Sequence, residues 1–483
     1  MRRRPLTFRR SLFVPVRSCA GPGSLAPWRS ASDACDANRD PDDCPTASGT
    51  IETLQFLPQP TRETRKATVP ELAPFSALRF THAAGDLSLL LAPPYDVIDA
   101  EDAEELKNRS PHNCVRLILP DGSPGDRYVN AAATLQQWIL EGVLDVDPDP
   151  SVYVYRQRYH DDGKPSERIA VFAAVRLTPF GDGEVLPHER THAGPKKDRL
   201  ALTLATRTQL SPIFMVARDD DGTLYELERE LVDTRPDVEA ATPDGIQHSM
   251  WVVSGDSGDR LLSAAASNPL LIADGHHRYE TALAAAEALG DNVKAAYLLV
   301  WIVSQLDPGL VVRPTHRLLA EAPETSDGGF DWTSTLTETF QLEELPSLAP
   351  TEAEEAVASA PPGSMIVALP DRAGCWLAAP RSEALARAAI PPERARISPV
   401  VFDELILGAL YGLEADEAAH EGILSYSRSP AAAASVPRPG CGFILPAVSL
   451  EDVWATAGLG GRLPPKSTYF EPKMPSGLLF RPL

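Results

Sequence analysis

The chain has 483 residues, 43% hydrophobic and 23% charged, which is enough for two or three domains with real cores and excludes a disulfide-stapled miniprotein. No run approaches the roughly 18 consecutive apolar residues of a membrane helix, so no membrane partner is expected. Asp and Glu number 67 against 45 Lys and Arg, and the net charge of −22 repels a polyphosphate backbone and argues against a nucleic-acid partner.

That charge is uneven. Seven arginines and no acid precede Asp33, so a basic leader runs into a body more acidic than the total suggests. An Arg-rich, Ser-containing, acid-free leader has the composition of a transit peptide, and Arg9-Arg10-Ser11-Leu12-Phe13 touches the twin-arginine export pattern. Pro15 and Arg17 cut the apolar stretch too short for a secretory signal. Residues 1–69 read as a disordered or mis-started extension, because Pro, Gly, Ser and Thr dominate Gly21 to Thr68. Cys19, Cys35 and Cys44 in the leader and Cys114, Cys375 and Cys441 in the body form no C-x-x-C pair, which leaves the reducing cytoplasm as the default location.

The ordered body begins near Val69. Leu89 to Ala92 reads as a strand, Pro93 and Pro94 as a rigid turn, and Asp99 to Lys107 as a helix. Cys114 to Leu119 reads as a strand stopped by Pro120-Asp121-Gly122. Residues 128–140 have helical spacing, with Tyr128, Ala131, Leu135, Trp138 and Ile139 on one face. Val152, Val154 and Ile169 to Leu177 flank the turn at Asp161-Asp162-Gly163 and predict a β-hairpin. Leu270 to Ala273 is a buried strand that turns through Asp274-Gly275 into a helix ended by Gly290, and strands follow at Ala296 to Val303 and Leu310 to Val312. The expected class is mixed α/β: a core over 70–319, an Ala/Pro-rich insert or subdomain over 320–400, and a C-terminal part over 401–483.

Asp274-Gly275-His276-His277-Arg278 stands at a strand-to-helix turn, where free N–H groups favour an anion and Gly275 lets a ligand approach the backbone. His276, His277 and Arg278 add donors for a phosphate, and Asp274 could hold a metal or act on a hydroxyl. An N-cap Asp ahead of a solvated first turn is the bland alternative, but two histidines and an arginine are more than a cap needs. His188-Glu189-Arg190-Thr191-His192 spells the zinc-protease pattern, yet Gly194-Pro195 breaks the helix that chemistry requires, and Asp198 stands where a third His is needed. The segment reads better as a polar loop, in which Lys196, Lys197 and Arg199 bind phosphate and Glu189 is a carboxylate base beside them. Lys466, Ser467, Thr468 and Lys473 form another phosphate-compatible cluster, and Arg313-Pro314-Thr315-His316-Arg317 reads as a loop whose arginines pair with the acidic surface.

Taken together, Pro93-Pro94-Tyr95-Asp96-Val97-Ile98, His188-Glu189-Arg190-Thr191 with Pro195-Lys196-Lys197-Asp198-Arg199-Leu200, Asp274 to Tyr279, Arg313 to Arg317 and Pro465 to Phe470 resemble the family known as domain of unknown function 1015. The resemblance runs from about residue 70 to 483. The D-G-H-H-R turn is in turn similar to that of the ParB/sulfiredoxin superfamily, whose members bind nucleotides there and include a DNA clamp, a sulfinic acid reductase and free serine kinases. His276 stands where the reductase has its cysteine, and an acidic body does not suit a DNA clamp. The resemblance therefore implies a nucleotide-dependent phosphotransferase for a small hydroxylated metabolite such as a free amino acid, or else a non-catalytic nucleotide-binding module. It implies ATP or ADP at the turn, Asp274, Glu189 and His277 as catalytic candidates, and Mg²⁺ held by a carboxylate such as Asp96.

Overall fold

The computed structural model describes residues 69–182, 184–190, 194–323, 330–346, 349–368 and 375–483. The Arg-rich leader with Cys19, Cys35 and Cys44, and also Thr191 and His192, lie outside the described residues.

A nine-stranded mixed sheet organises the core. Its strands are β1 (Leu72–Ala73), β2 (Val152–Asp161), β3 (Lys164–Arg176), β4 (Val185–Leu186), β5 (Ile213–Ala217), β6 (Val238–Ala241), β7 (Gln247–Val253), β8 (Leu270–Asp274) and β9 (Tyr297–Ser304). They lie in the order β4-β8-β5-β9-β3-β2-β7-β6, with β1 pairing β3 off this path. The expected hairpin is β2 and β3, in register from Tyr153 opposite Phe172 to Asp161 opposite Lys164.

Unbroken apolar runs such as Ile169 to Val175 form these strands because both faces of the sheet are buried. On one face Val171, Ala173, Met215, Ile272 and Val300 pack with Leu224, Leu261, Tyr279 and Ala282 of helices α1 (Thr223–Val232), α2 (Gly255–Ala265) and α3 (His276–Leu289). On the other, Phe172, Phe214, Leu271 and Trp301 pack with Leu463 and Phe470 of the C-terminal segment. The alternation has the two-residue period of a pleated strand.

A second, antiparallel sheet has strands β10 (His316–Leu319), β11 (Phe340–Leu345), β12 (Met365–Ala368), β13 (Cys375–Pro380), β14 (Leu424–Ser427) and β15 (Cys441–Ile444), in the order β11-β13-β12-β15-β10-β14. Residues 320–400 and 401–483 thus supply adjacent strands of one sheet, since β15 pairs with both β12 and β10. Gly442 in β15 is required by contact: a Cβ there would lie 1.7 Å from the carbonyl oxygen of Ala433.

Two expected strands are absent. Val115–Ile118 is one helical turn, because Asn113 accepts from the Val115 N–H at 2.9 Å and starts it. Leu89 to Ala92 has no ladder: Asn113 donates to the Leu89 and Leu91 carbonyls, and Ala92 only bridges Ser476. The helix near 100 runs Ala100–Arg109 from an Asp99 cap. The helix Arg127–Leu140 buries Ala131, Leu135 and Trp138 but leaves Ile139 exposed. No helix among the described residues is long and apolar enough to cross a membrane.

Candidate functional site

Strand β8 lies between β4 and β5 and ends at Asp274, where the chain turns into α3. Gly275 is the N-cap, not Asp274, and has φ +100°, a conformation side chains rarely adopt. A Cβ on Gly275 would also sit 3.0 Å from Nε of Arg278. Asp274 accepts from Arg278 Nη2 at 2.6 Å and from Lys473 Nζ at 2.8 Å. Burial opposes its ionisation, but the charges of Lys473 and Arg278 outweigh that and hold its carboxyl well below the usual carboxylate range. Arg278 also donates to the Pro212 carbonyl.

The segment before α3's neighbour helix, Gly194–Thr206, reaches the same turn. His188 is fully buried; its backbone N–H donates to Nε2 of His276 at 3.2 Å. Nδ1 of His188 donates to the Ile272 carbonyl at 2.7 Å, so Nε2 is the acceptor and takes the Thr468 hydroxyl at 2.8 Å. Burial pulls His188 down to about 4 and His276 well below the imidazole range, so both rings are neutral near pH 7. Glu189 bridges to Leu463 and accepts from the Lys466 N–H at 2.8 Å. Burial raises its carboxyl, the Lys466 amide and charge oppose the rise, and Asp274 adds to it.

Two buried arginines hold the C-terminal loop in place. Arg317 is fully buried and donates to the carbonyls of Thr315, Lys466 and Pro465, with its guanidinium over the Tyr426 ring. Arg168, 1% exposed, donates to the carbonyls of Glu471 and Pro472 and to Gln157, while Gln157 donates to the Lys473 carbonyl. Three successive carbonyls are thereby fixed, and Lys473 is aimed at Asp274.

The structure therefore brings Glu189, Asp274, Gly275, Arg278, Lys466 and Lys473 around one turn. It gives other expected phosphate ligands different work. His276 is an uncharged acceptor for His188, not a cation. Ser467 donates to the Pro464 carbonyl and Thr468 to His188, so neither hydroxyl proton is available to a phosphate. Arg199 binds the Ile118 carbonyl and Asp198 and stacks over Tyr95. Lys196 pairs with Glu280 at 2.6 Å, Lys197 is exposed, and His277 is half-buried. Asp96 is exposed on a short turn, and among the described residues no group of three His, Cys, Asp or Glu is placed to hold a metal.

The zinc-protease pattern fails on geometry. Residues 188–190 are not helical, and both ring nitrogens of His188 are already hydrogen-bonded. Arg313 does pair with acids, Asp161 among them, whereas Arg317 has carbonyl partners instead. Sequence reasoning missed Arg168 and Gln157. Their signal is phase: Arg168 shares the strand face of Ala170, Phe172 and Ala174, where a cation must find partners.

Among solved structures, a free serine kinase variant in complex with ADP aligns with a TM-score of 0.32 at 14% identity, covering 63% of this chain and 95% of that one. SbnI with a C-terminal truncation, from Staphylococcus aureus, aligns with a TM-score of 0.33 at 12% identity over 64% of this chain and 87% of that one. A conserved hypothetical protein from Pyrococcus furiosus gives 0.27 at 15% identity over 62% and 92%. No curated protein matches. The family described as protein of unknown function (DUF1015) matches residues 72–393, so the loop carrying Lys466 and Lys473 lies beyond the matched region.

Proposed function

This chain belongs to the DUF1015 family, and from that premise we propose that it is a nucleotide-dependent phosphotransferase acting on a small hydroxylated metabolite such as a free amino acid, built on a ParB/sulfiredoxin-like turn. The observation that carries the reading is the meeting of three distant segments at one helix start: Glu189, Asp274 to Arg278, and Lys466 to Lys473. A helix N-terminus with an adjoining Arg and Lys favours an anion, and the Arg278 guanidinium lies directly over Gly275, 3.0 Å from where a Cβ would stand.

In this reading ATP or ADP places its phosphates at Gly275, Arg278 and Lys473. Lys466 is an auxiliary cation, and His277 is a further donor. Glu189 is the base that takes the acceptor hydroxyl proton, because burial raises its carboxyl while Asp274 is held acidic by two cations. Asp96 would share a Mg²⁺ with the phosphates, which needs only one or two protein carboxylates when phosphate oxygens supply the rest.

The alternative is a non-catalytic nucleotide-binding module, in which Asp274 serves only to hold Arg278 and Lys473 in place. Incubation with ATP, ADP or CTP and a pool of hydroxylated metabolites, followed by mass spectrometry, separates the two. The phosphotransferase gives a phosphorylated product. Thermal protection by nucleotide without product sinks it and leaves the binding module. Absence of protection by any nucleotide removes both.

A further inference from the structure

A cavity of about 450 Å³ opens between the helix Ala100–Arg109 and the β6–β7 hairpin. It adjoins the turn, since Pro94 and Lys473 line both this cavity and the crevice containing Asp274 and Arg278. Its volume is in the range that encloses a drug-sized molecule, so a metabolite of three or four carbons would leave most of it empty. Much of the wall is aliphatic or proline, including Leu91, Val97, Leu106, Pro243, Ile246 and Pro475.

The charged lining selects against a polyanion inside. Asp102, Glu105, Asp244 and Glu471 face Arg109, Arg428 and Lys473. Each cation already has a carboxylate partner: Arg109 has Glu105 at 2.6 Å, Arg428 has Glu471 at 3.3 Å, and Lys473 has Asp274 at 2.8 Å. Lys473 differs from the other two in lying beside the start of α3, whose N–H groups favour an anion at that edge. The interior suits an uncharged, flat, partly apolar body whose hydroxyl and amine groups donate to carboxylates.

We propose that this cavity holds the nucleoside half of the nucleotide, with the base against the proline and aliphatic walls and the ribose hydroxyls donating to the Asp102, Glu105 or Asp244 carboxylates. The phosphates then pass Lys473 to Gly275. The phosphate position rests on the phosphotransferase reading; the nucleoside position rests on the cavity.

Calorimetric titration of the full chain with ATP, and separately with pyrophosphate, tests this. Ile246→Trp fills the cavity from a half-buried turn position, and Ile246→Ala widens it. The expected result is at least a tenfold loss of ATP affinity in Ile246→Trp, a two- to fivefold loss in Ile246→Ala, and pyrophosphate affinity within twofold of wild type in both. If Ile246→Trp unfolds, Ile246→Ala alone carries the comparison. Unchanged ATP affinity, or equal losses for ATP and pyrophosphate, overturns the nucleoside site while the turn keeps its phosphate role. A wild-type protein that binds neither probe refutes the phosphotransferase reading and the nucleoside site with it.

Discussion

Arg168→Met removes a buried cation but keeps an unbranched stem of similar reach, so it isolates what the guanidinium's hydrogen bonds contribute. Those bonds go to the Glu471 and Pro472 carbonyls and to Gln157, and the group lies 4.8 Å from the Trp301 ring centre and 5.2 Å from that of Phe214. Three hydrogen bonds from a charged donor stabilise by roughly 1.5–3 kcal/mol each, or about 4.5–9 kcal/mol together. Burial works against them, pulling the guanidinium down to about 10. That disfavours the charged form by about 3 kcal/mol. The net expectation is a loss of about 1–6 kcal/mol on substitution. Urea unfolding measures the global loss, and hydrogen exchange locates it. Amides of 469–476 should lose protection by tenfold or more while those of β9 keep theirs. A loss under about 0.5 kcal/mol, the range of an ordinary surface substitution, with unchanged exchange in the loop would refute the clamp.

Other outcomes follow from the same structure. Glu228 is fully buried with neither carboxylate oxygen hydrogen-bonded, and burial, with Asp307 and Asp219 adding to it, raises its carboxyl far above the usual range. The native state therefore holds this proton more tightly than the unfolded chain, and stability is lost as pH rises from the ordinary Glu range toward the raised folded value. Glu228→Gln should remove this downward contribution, so that its urea midpoint rises relative to wild type between pH 5 and pH 8, and parallel wild-type and variant profiles would contradict this; buried Asp307, raised to about 6, and Asp403, raised to about 7, pull the slope of both proteins down, while buried His188, His248 and His316, each lowered to about 4, pull it up. Gly275→Ala forces a Cβ into a positive φ and against Arg278, at a cost of roughly 1–3 kcal/mol; it should lower the thermal midpoint and abolish protection by pyrophosphate. Lys473→Met removes a charge-assisted contact of roughly 1.5–3 kcal/mol, which converts to about a 10- to 150-fold loss of ATP affinity by calorimetry; unchanged affinity would take Lys473 out of the phosphate site.

Local patterns carried much of this fold. The hairpin across Asp161-Asp162-Gly163, the strand into Asp274 and the helix up to Gly290 are written in apolar runs and turn residues, and they form where those signals stand. The strand expected at 114–119 failed because one side chain, Asn113, supplies a helix-starting acceptor that an apolar run does not reveal. The geometry of the candidate site was legible where the pattern is local to the turn, at Gly275 and Arg278. Hydroxyls and imidazoles were misread, because Ser467, Thr468 and His276 look like ligand donors until their partners 3 to 280 positions away are known. Arg168 and Arg317 were invisible as clamps for a related reason: their partners are backbone carbonyls, which carry no residue-type signal.

The central claim is phosphoryl transfer with Glu189 as base, and Glu189→Gln tests it most directly, since Gln keeps an oxygen to accept the Lys466 N–H. With ATP and a mixture of hydroxylated metabolites, wild type should yield a phosphorylated product by mass spectrometry, and Glu189→Gln should yield it about 10²- to 10⁴-fold more slowly. ATP affinity should be the same in both. ATP binding without product in wild type, or a product rate that Glu189→Gln leaves unchanged, contradicts the account.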